Sequence, residues 1–232
     1  MTERETFLRA FHAARPAATS RALARTGIYE RFAVRVPRAG RILDLACGDA
    51  HLTRVLGAIN SASLAIGIDI SPEPGPAVRA RAQQLPFGDG AFHAVACHLG
   101  FILFDEIESV VGELARVLAP GGTFIALLGG GPTADGADAL HAFASLLGKG
   151  RAFGDPRSKS EAGWRALFAG WSEPVFERWV VDLSGSFDEV WAFLGASYSL
   201  EDHDRARDTL RSQFPGDHVP CTMVAYLATV TR

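Results

Sequence analysis

Arg41-Ile42-Leu43-Asp44-Leu45-Ala46-Cys47-Gly48-Asp49-Ala50-His51 is the stretch on which the fold turns. Its first five residues form an apolar run of strand length, and the residues after His51 read as an apolar helix. Between them lies a tight turn of small residues. Small residues let the backbone approach a ligand closely, and a helix start supplies free N–H donors. An ordinary dinucleotide fingerprint places three glycines in such a turn to seat a pyrophosphate. Here Gly48 stands without the other two, and Asp44 lies at the strand end, an arrangement that suits a ligand with an ammonium group better than one with phosphates.

Working outward, Gly67-Ile68-Asp69-Ile70-Ser71 ends the next strand about 20 residues on, where a carboxylate can accept both hydroxyls of a ribose. One acid at each of two strand ends reads as a site for a nucleoside bearing an amino acid. Short apolar runs predict strands over Arg41 to Leu45, Leu64 to Ile68, Ala77 to Ala80, Ala91 to Cys97 and Thr123 to Leu128. Glu106 to Leu118 carries Ile107, Val110, Val111, Leu114, Val117 and Leu118 on one helical face, and Pro120-Gly121-Gly122 is expected to stop it. A helix is predicted from about Ala137 to Leu147. Ser158-x-x-Glu161 and Ser186-x-x-Glu189 have capping-box spacing. Two further strands are expected at Val175 to Leu183 and Pro220 to Thr231. Ahead of the first strand, residues 1–38 read as a helical cap, interrupted at Pro16.

At this point the sequence resembles the class I S-adenosylmethionine (SAM)-dependent methyltransferases. In that family Asp-x-Gly-x-Gly follows the first strand and an acid ends the second; an Asp-Ala-x-x-Leu-Pro-Phe loop follows the third, and Arg-Val-Leu-x-Pro-Gly-Gly precedes the fifth. This chain has Asp44 to Gly48, then Asp69, then Ala82-Gln83-Gln84-Leu85-Pro86-Phe87, then Arg116-Val117-Leu118-Ala119-Pro120-Gly121-Gly122. The resemblance implies an α/β, Rossmann-like fold: a seven-stranded, mainly parallel sheet with an antiparallel C-terminal edge and helices on both faces. It also implies SAM as cofactor. Ala46, Cys47 and Gly48 would pack on the methionine part, Asp69 would hold the ribose, Ile70 would cover the adenine face, and Ala82 with Gln83 would lie at the adenine edge. Asp44 either faces the cofactor or caps nearby backbone amides.

The chain departs from the family pattern in three places. Ala46 and Ala50 replace glycines. Arg81 stands where an Asp commonly accepts the adenine amino group. Ser71-Pro72-Glu73-Pro74-Gly75-Pro76 replaces the usual second helix and is expected to be a loop, because prolines this dense cannot form a helix interior.

His98 follows the fourth strand, the position that in this family faces the transferred methyl group. A His there deprotonates or orients an acceptor, or else packs beside the cofactor. In the N-terminal segment His12, Arg15 and Tyr29 are the residues placed to cover the site if that segment folds back as a lid. An aromatic there would meet the sulfonium by a cation–π contact; packing of Tyr29 and Phe32 onto the core is the plainer reading. The remaining histidines show no metal spacing, and Cys47, Cys97 and Cys221 lie too far apart for a CxxC pair.

With 232 residues, 48% of them hydrophobic, the chain can bury a full core and is expected to be one domain, with 41–128 as the cofactor core and 186–217 as a helical insertion and candidate lid. A net charge of −3 argues against a nucleic-acid footprint. No run of about 20 apolar residues suggests a membrane span, so a cytoplasmic protein is the default, with a homodimer allowed. The expected reaction is methyl transfer to an N, O or S atom of a small molecule, releasing S-adenosylhomocysteine. Two rivals stand beside it: a catalytically silent SAM-binding regulator, and a nicotinamide-dependent reductase, which the single glycine disfavours.

Overall fold

The central strand forms where the sequence predicts it, at β1 (Arg41–Leu45), and its last four residues are buried. The computed structural model describes residues 6–7, 10, 13–14, 17–38, 40–59, 62–70, 78–133, 136–147, 154–198, 200 and 202–232. In chain order come α1 (Ala18–Ala24), α2 (Ile28–Ala33), β1, α3 (His51–Ile59), β2 (Leu64–Asp69), β3 (Val78–Arg79) and β4 (Phe92–His98). They are followed by α4 (Ile107–Val117), β5 (Leu118–Pro132), α5 (Ala139–Leu146), α6 (Glu161–Leu167), β6 (Val175–Asp182), α7 (Phe187–Ser197), α8 (His203–Gln213) and β7 (Thr222–Thr231).

The strands make one seven-stranded sheet in the order β3-β2-β1-β4-β5-β7-β6. The pairs β1–β2, β1–β4, β2–β3 and β4–β5 are parallel. β7 runs antiparallel to β6: Thr231 O accepts from Ser172 N at one end, and Leu183 N donates to Cys221 O at the other. The chain leaves β1 on one side for β2 and returns on its other side as β4, so the order reverses at β1. The crevice beyond the C-terminal ends of such strands is where open α/β sheets bind ligands.

Two compact units share this sheet. The larger comprises Tyr29–Gly129, Phe153–Arg178 and Tyr226–Arg232; the other comprises Met1–Ile28, Gly130–Ala152 and Trp179–Ala225. The larger unit's core stacks Phe124 on Trp164 at 5.6 Å, with Phe101 at 5.0 Å and 5.2 Å from these two rings. Fully burying side chains of this kind contributes about 1.5–3 kcal/mol each. The other unit is also built on aromatics. Phe143 of α5 meets Trp191 of α7 at 6.0 Å, and Arg207 and Arg211 of α8 lie over the Phe187 ring. Asp138 caps α5 by accepting from His141 N and also accepts from Thr222 N at 2.7 Å.

Three local expectations change. β5 is longer than predicted and starts at Leu118, directly after α4. Pro120-Gly121-Gly122 is therefore a bulge inside the strand pairing: the β4–β5 register moves from Phe92↔Leu118 to Ala94↔Thr123. The true cap of α6 is Ser160, whose hydroxyl accepts from Gly163 N at 3.1 Å. Ser158 belongs to a short 3-10 helix, Pro156–Lys159, begun by Asp155. The Ser186 box forms in full, with Ser186 and Glu189 satisfying each other's backbone N–H groups. The proline-rich 71–77 segment lies outside the described residues.

Candidate active site

The turn after β1 takes an unusual backbone. Ala46 has φ +57°, Gly48 +56° and Ala50 +61°, so the two alanines adopt the left-handed conformation that favours glycine. Each costs about 1–2 kcal/mol and is held by its surroundings. Gly100 makes room for Ala46, since a Cβ at Gly100 would stand 2.7 Å from the Ala46 Cβ. Two bonds stitch the turn to the end of β2: Cys47 N donates to Ile68 O, and Gly48 N donates to Asp69 Oδ2, both at 2.9 Å. A Cβ placed on Gly48 would meet nothing within 4 Å among the described residues, which leave the space over the turn open.

Asp44 lies beneath this turn, only 1% exposed. Thr53 Oγ1 on α3 donates to Asp44 Oδ2 at 2.6 Å. Burial pushes the Asp44 carboxyl up to about 7, the Thr53 hydroxyl and backbone N–H pull it back, and Asp69 and Asp49 raise it further. Thr53 was not anticipated, and neither was Gly67. A Cβ at Gly67 would lie 2.6 Å from Thr53 Oγ1 and 2.8 Å from Cys47 Sγ, so this glycine admits both side chains.

His98 ends β4. Its Nε2 is buried and has no hydrogen-bond partner among the described residues. Burial and the nearby His51 hold its imidazole at about 3, neutral throughout the physiological range. Tyr29, 5% exposed on α2, stacks on His98 at 4.2 Å and 23° and lies 4.4 Å from His51, while Phe32 meets His98 edge-on at 5.7 Å. The Tyr29 phenol is raised by burial and by Asp49 and Asp44. Tyr29 thus lies beside His98 at the β4 end and His51 at the start of α3. His12 and Arg15 lie outside the described residues.

On the other flank Ala82 is buried in the core, and Gln83 Nε2 donates to Asp105 O at 3.2 Å. Arg81 does not stand in for the missing acid; its guanidinium lies 3.5 Å from Glu106. Ile70 is half-buried beside Asp69. A separate groove of about 390 Å³ between Arg35 of the α2 end and Glu177 of β6 shares no residue with this site.

Residues 43–126 match the Methyltransferase domain family, a span that contains Asp44, the β1 turn, Asp69, Gln83 and His98. This stretch is similar to a methyltransferase domain. The Demethylmenaquinone methyltransferase of Thermus thermophilus is 38% identical over 101 residues, covering 38% of this chain and 46% of its own. The Ubiquinone/menaquinone biosynthesis C-methyltransferase UbiE of Stutzerimonas stutzeri is 32% identical over 126 residues, covering 46% of this chain and 49% of its own. The chain therefore spans about half the length of the curated relatives it matches. In fold it resembles the YcgJ protein of Bacillus subtilis, at TM-score 0.57 and 17% identity over 92% of this chain and 98% of that one.

Geranyl diphosphate methyltransferase, solved in complex with SAM, shares the fold at TM-score 0.52 and 16% identity over 88% of this chain and 84% of that one. The site fits that molecule. The open room over Gly48, the buried carboxylate of Asp44 below it, the strand-end Asp69 and the absence of a triple-glycine phosphate turn match a positively charged nucleoside better than a pyrophosphate.

Proposed function

We propose that this chain transfers a methyl group from SAM to a small-molecule acceptor. The observation that carries the reading is the left-handed Ala46–Gly48–Ala50 turn, tied to Asp69 and open above Gly48. In this reading Asp44 supplies negative charge to the methionine end, Ala46, Cys47 and Gly48 offer backbone for close approach, Asp69 holds the ribose, and Ile70, Ala82 and Gln83 border the adenine. When bound, SAM supplies an electrophilic methyl carbon on a sulfonium and leaves as S-adenosylhomocysteine. Most of the acceleration comes from aligning the acceptor and excluding water.

His98 orients the acceptor. A histidine held near 3 takes up a proton too weakly to be an efficient base at neutral pH, where the best catalytic groups titrate close to the working pH. Its buried Nε2, without a hydrogen-bond partner among the described residues, is instead a place for one hydrogen bond, accepted from a hydroxyl of the acceptor. Tyr29, stacked on that imidazole, walls the same spot. The relatives named as quinone methyltransferases, one of them a C-methyltransferase, favour carbon as the accepting atom over the N, O or S first expected. A hydroxylated ring suits this geometry, because a ring hydroxyl meets Nε2 while activating the neighbouring carbon.

The test is calorimetric titration with SAM and S-adenosylhomocysteine, on the wild type and on Asp69→Ala, followed by product detection with hydroxylated naphthalenes, phenols, amines and thiols. Asp69→Ala is expected to lose about 1.5–3 kcal/mol of affinity through its charge-assisted hydrogen bonds. Binding without product from any acceptor would favour the silent SAM-binding regulator, and no binding at all would end the cofactor reading.

A further inference from the structure

The carboxylate of Asp44 belongs to a small assembly drawn from three elements. Asp44 comes from β1, Thr53 from the first turns of α3, and Gly67 from β2, where it is the register partner of Asp44. A buried carboxylate keeps its charge only when donors face it. Thr53 offers two, its hydroxyl at 2.6 Å and its backbone N–H, one of the free donors at a helix start. Gly67 has no side chain where one would displace that hydroxyl.

The other titratable groups around Asp44 all oppose its ionisation or are neutral. Asp69 on β2 and Asp49 in the turn are like charges. Tyr29 on α2, Cys47 in the turn and Cys97 on β4 feel the Asp44 charge and are all pushed up, so they stay protonated at neutral pH. The Thr53 hydroxyl is thus the side-chain donor that balances them.

We infer that Thr53 is a positioning residue for the cofactor: its hydroxyl favours the ionised form of Asp44, and so sets how far the pH can fall before the protein loses affinity for a ligand carrying an ammonium group. This rests on the cofactor reading above. Removing the hydroxyl shifts Asp44 towards its protonated form, and binding must then expel that proton. Each pH unit by which the titration moves up weakens binding about tenfold on its acid side. The backbone N–H stays in place, so affinity returns in alkali.

The experiment is titration with S-adenosylhomocysteine from about pH 6 to about pH 9 on the wild type, Thr53→Val and Thr53→Ser, paired with carboxyl-carbon NMR of Asp44 in the free proteins. Thr53→Val is expected to move both the affinity profile and the Asp44 titration upward by about a unit or more, and Thr53→Ser to leave both near the wild type. Should Thr53→Val not fold, Thr53→Ala replaces it with the same expectation. An unchanged profile in the hydroxyl-free variant, with wild-type affinity, would overturn the assignment of Thr53 alone. A wild type that binds no nucleoside would overturn the cofactor reading and this one with it.

Discussion

At the scale of single residues, the site depends on contacts between positions far apart in sequence. Gly100 exists to clear Ala46, so Gly100→Ala should destabilise the protein by about 1–3 kcal/mol in urea denaturation. Ala46→Gly should be mild by itself, since glycine accepts φ +57° freely, and should restore most of that loss in the double variant. Simple additivity of the two effects would show that they do not touch. Two buried groups also titrate in opposite senses. Asp44, pushed from 3.8 to about 7, holds a proton that the unfolded chain releases; its contribution to stability is full below about 4 and is lost as pH rises through 7. His98, lowered from 6.5 to about 3, contributes fully above 6.5 and loses that contribution as pH falls towards 3. Between these limits the two slopes, each about 1.4 kcal/mol per pH unit, nearly cancel. Asp44→Asn should therefore make stability climb with pH from about 4.5 to about 6, and His98→Gln should make it decline. Parallel curves for the two variants would refute this account. The places of Asp44, Asp69 and His98 at or beside strand ends were legible because apolar runs mark the strands that carry them. Thr53 was not, because a hydroxyl reaching back nine positions leaves no periodic trace, and nothing in an alanine announces a left-handed backbone.

At the scale of elements, sequence pattern located the strands and helices better than their ends. β1 and α4 fall where apolar spacing puts them, because one face of each packs into a continuous core. β5 was misjudged because Pro120-Gly121-Gly122 looks like a helix stop followed by a loop. In the fold Gly121 N instead donates to Arg232 O and Arg232 N to Gly122 O, so the bulge is paired from the far end of the chain. The two Ser-x-x-Glu strings show why local rules divide. Ser186 caps a helix as written, whereas Asp155-Pro156 starts a turn early and carries Ser158 past the cap position, burying it with its carbonyl on Trp164 Nε1 at 2.8 Å. Ser160→Ala should then cost about 0.5–2 kcal/mol, measured by denaturant midpoint. No loss at Ser160 would return the cap to Ser158.

At the scale of the whole molecule, β5, β6 and β7 each run from one compact unit into the other. A unit that melted by itself would have to tear these strands in the middle, at the cost of their paired backbone groups. We propose that the chain unfolds in a single step. Tryptophan substitution gives the measurement: fluorescence of Trp164, in the larger unit, and of Trp191, in the other, should report the same midpoint when each is followed in a variant with the remaining tryptophans changed to Phe. Separate midpoints would make the units independent domains. Among the described residues no helix is long and apolar enough to cross a membrane.

The position of β7 between β5 and β6 has a consequence for synthesis on the ribosome. β5 and β6 both emerge before the strand that joins them. Roughly 40 residues separate the end of β6 from the start of β7, a delay of about 2 to 8 seconds at ordinary elongation rates. During that interval β5 offers an unpaired edge to any other nascent chain nearby, and β6 has no place in the sheet. Production of this protein should thus be more sensitive to slow codons between Leu183 and Cys221 than to slow codons elsewhere, with the stalled chains recovered bound to chaperones.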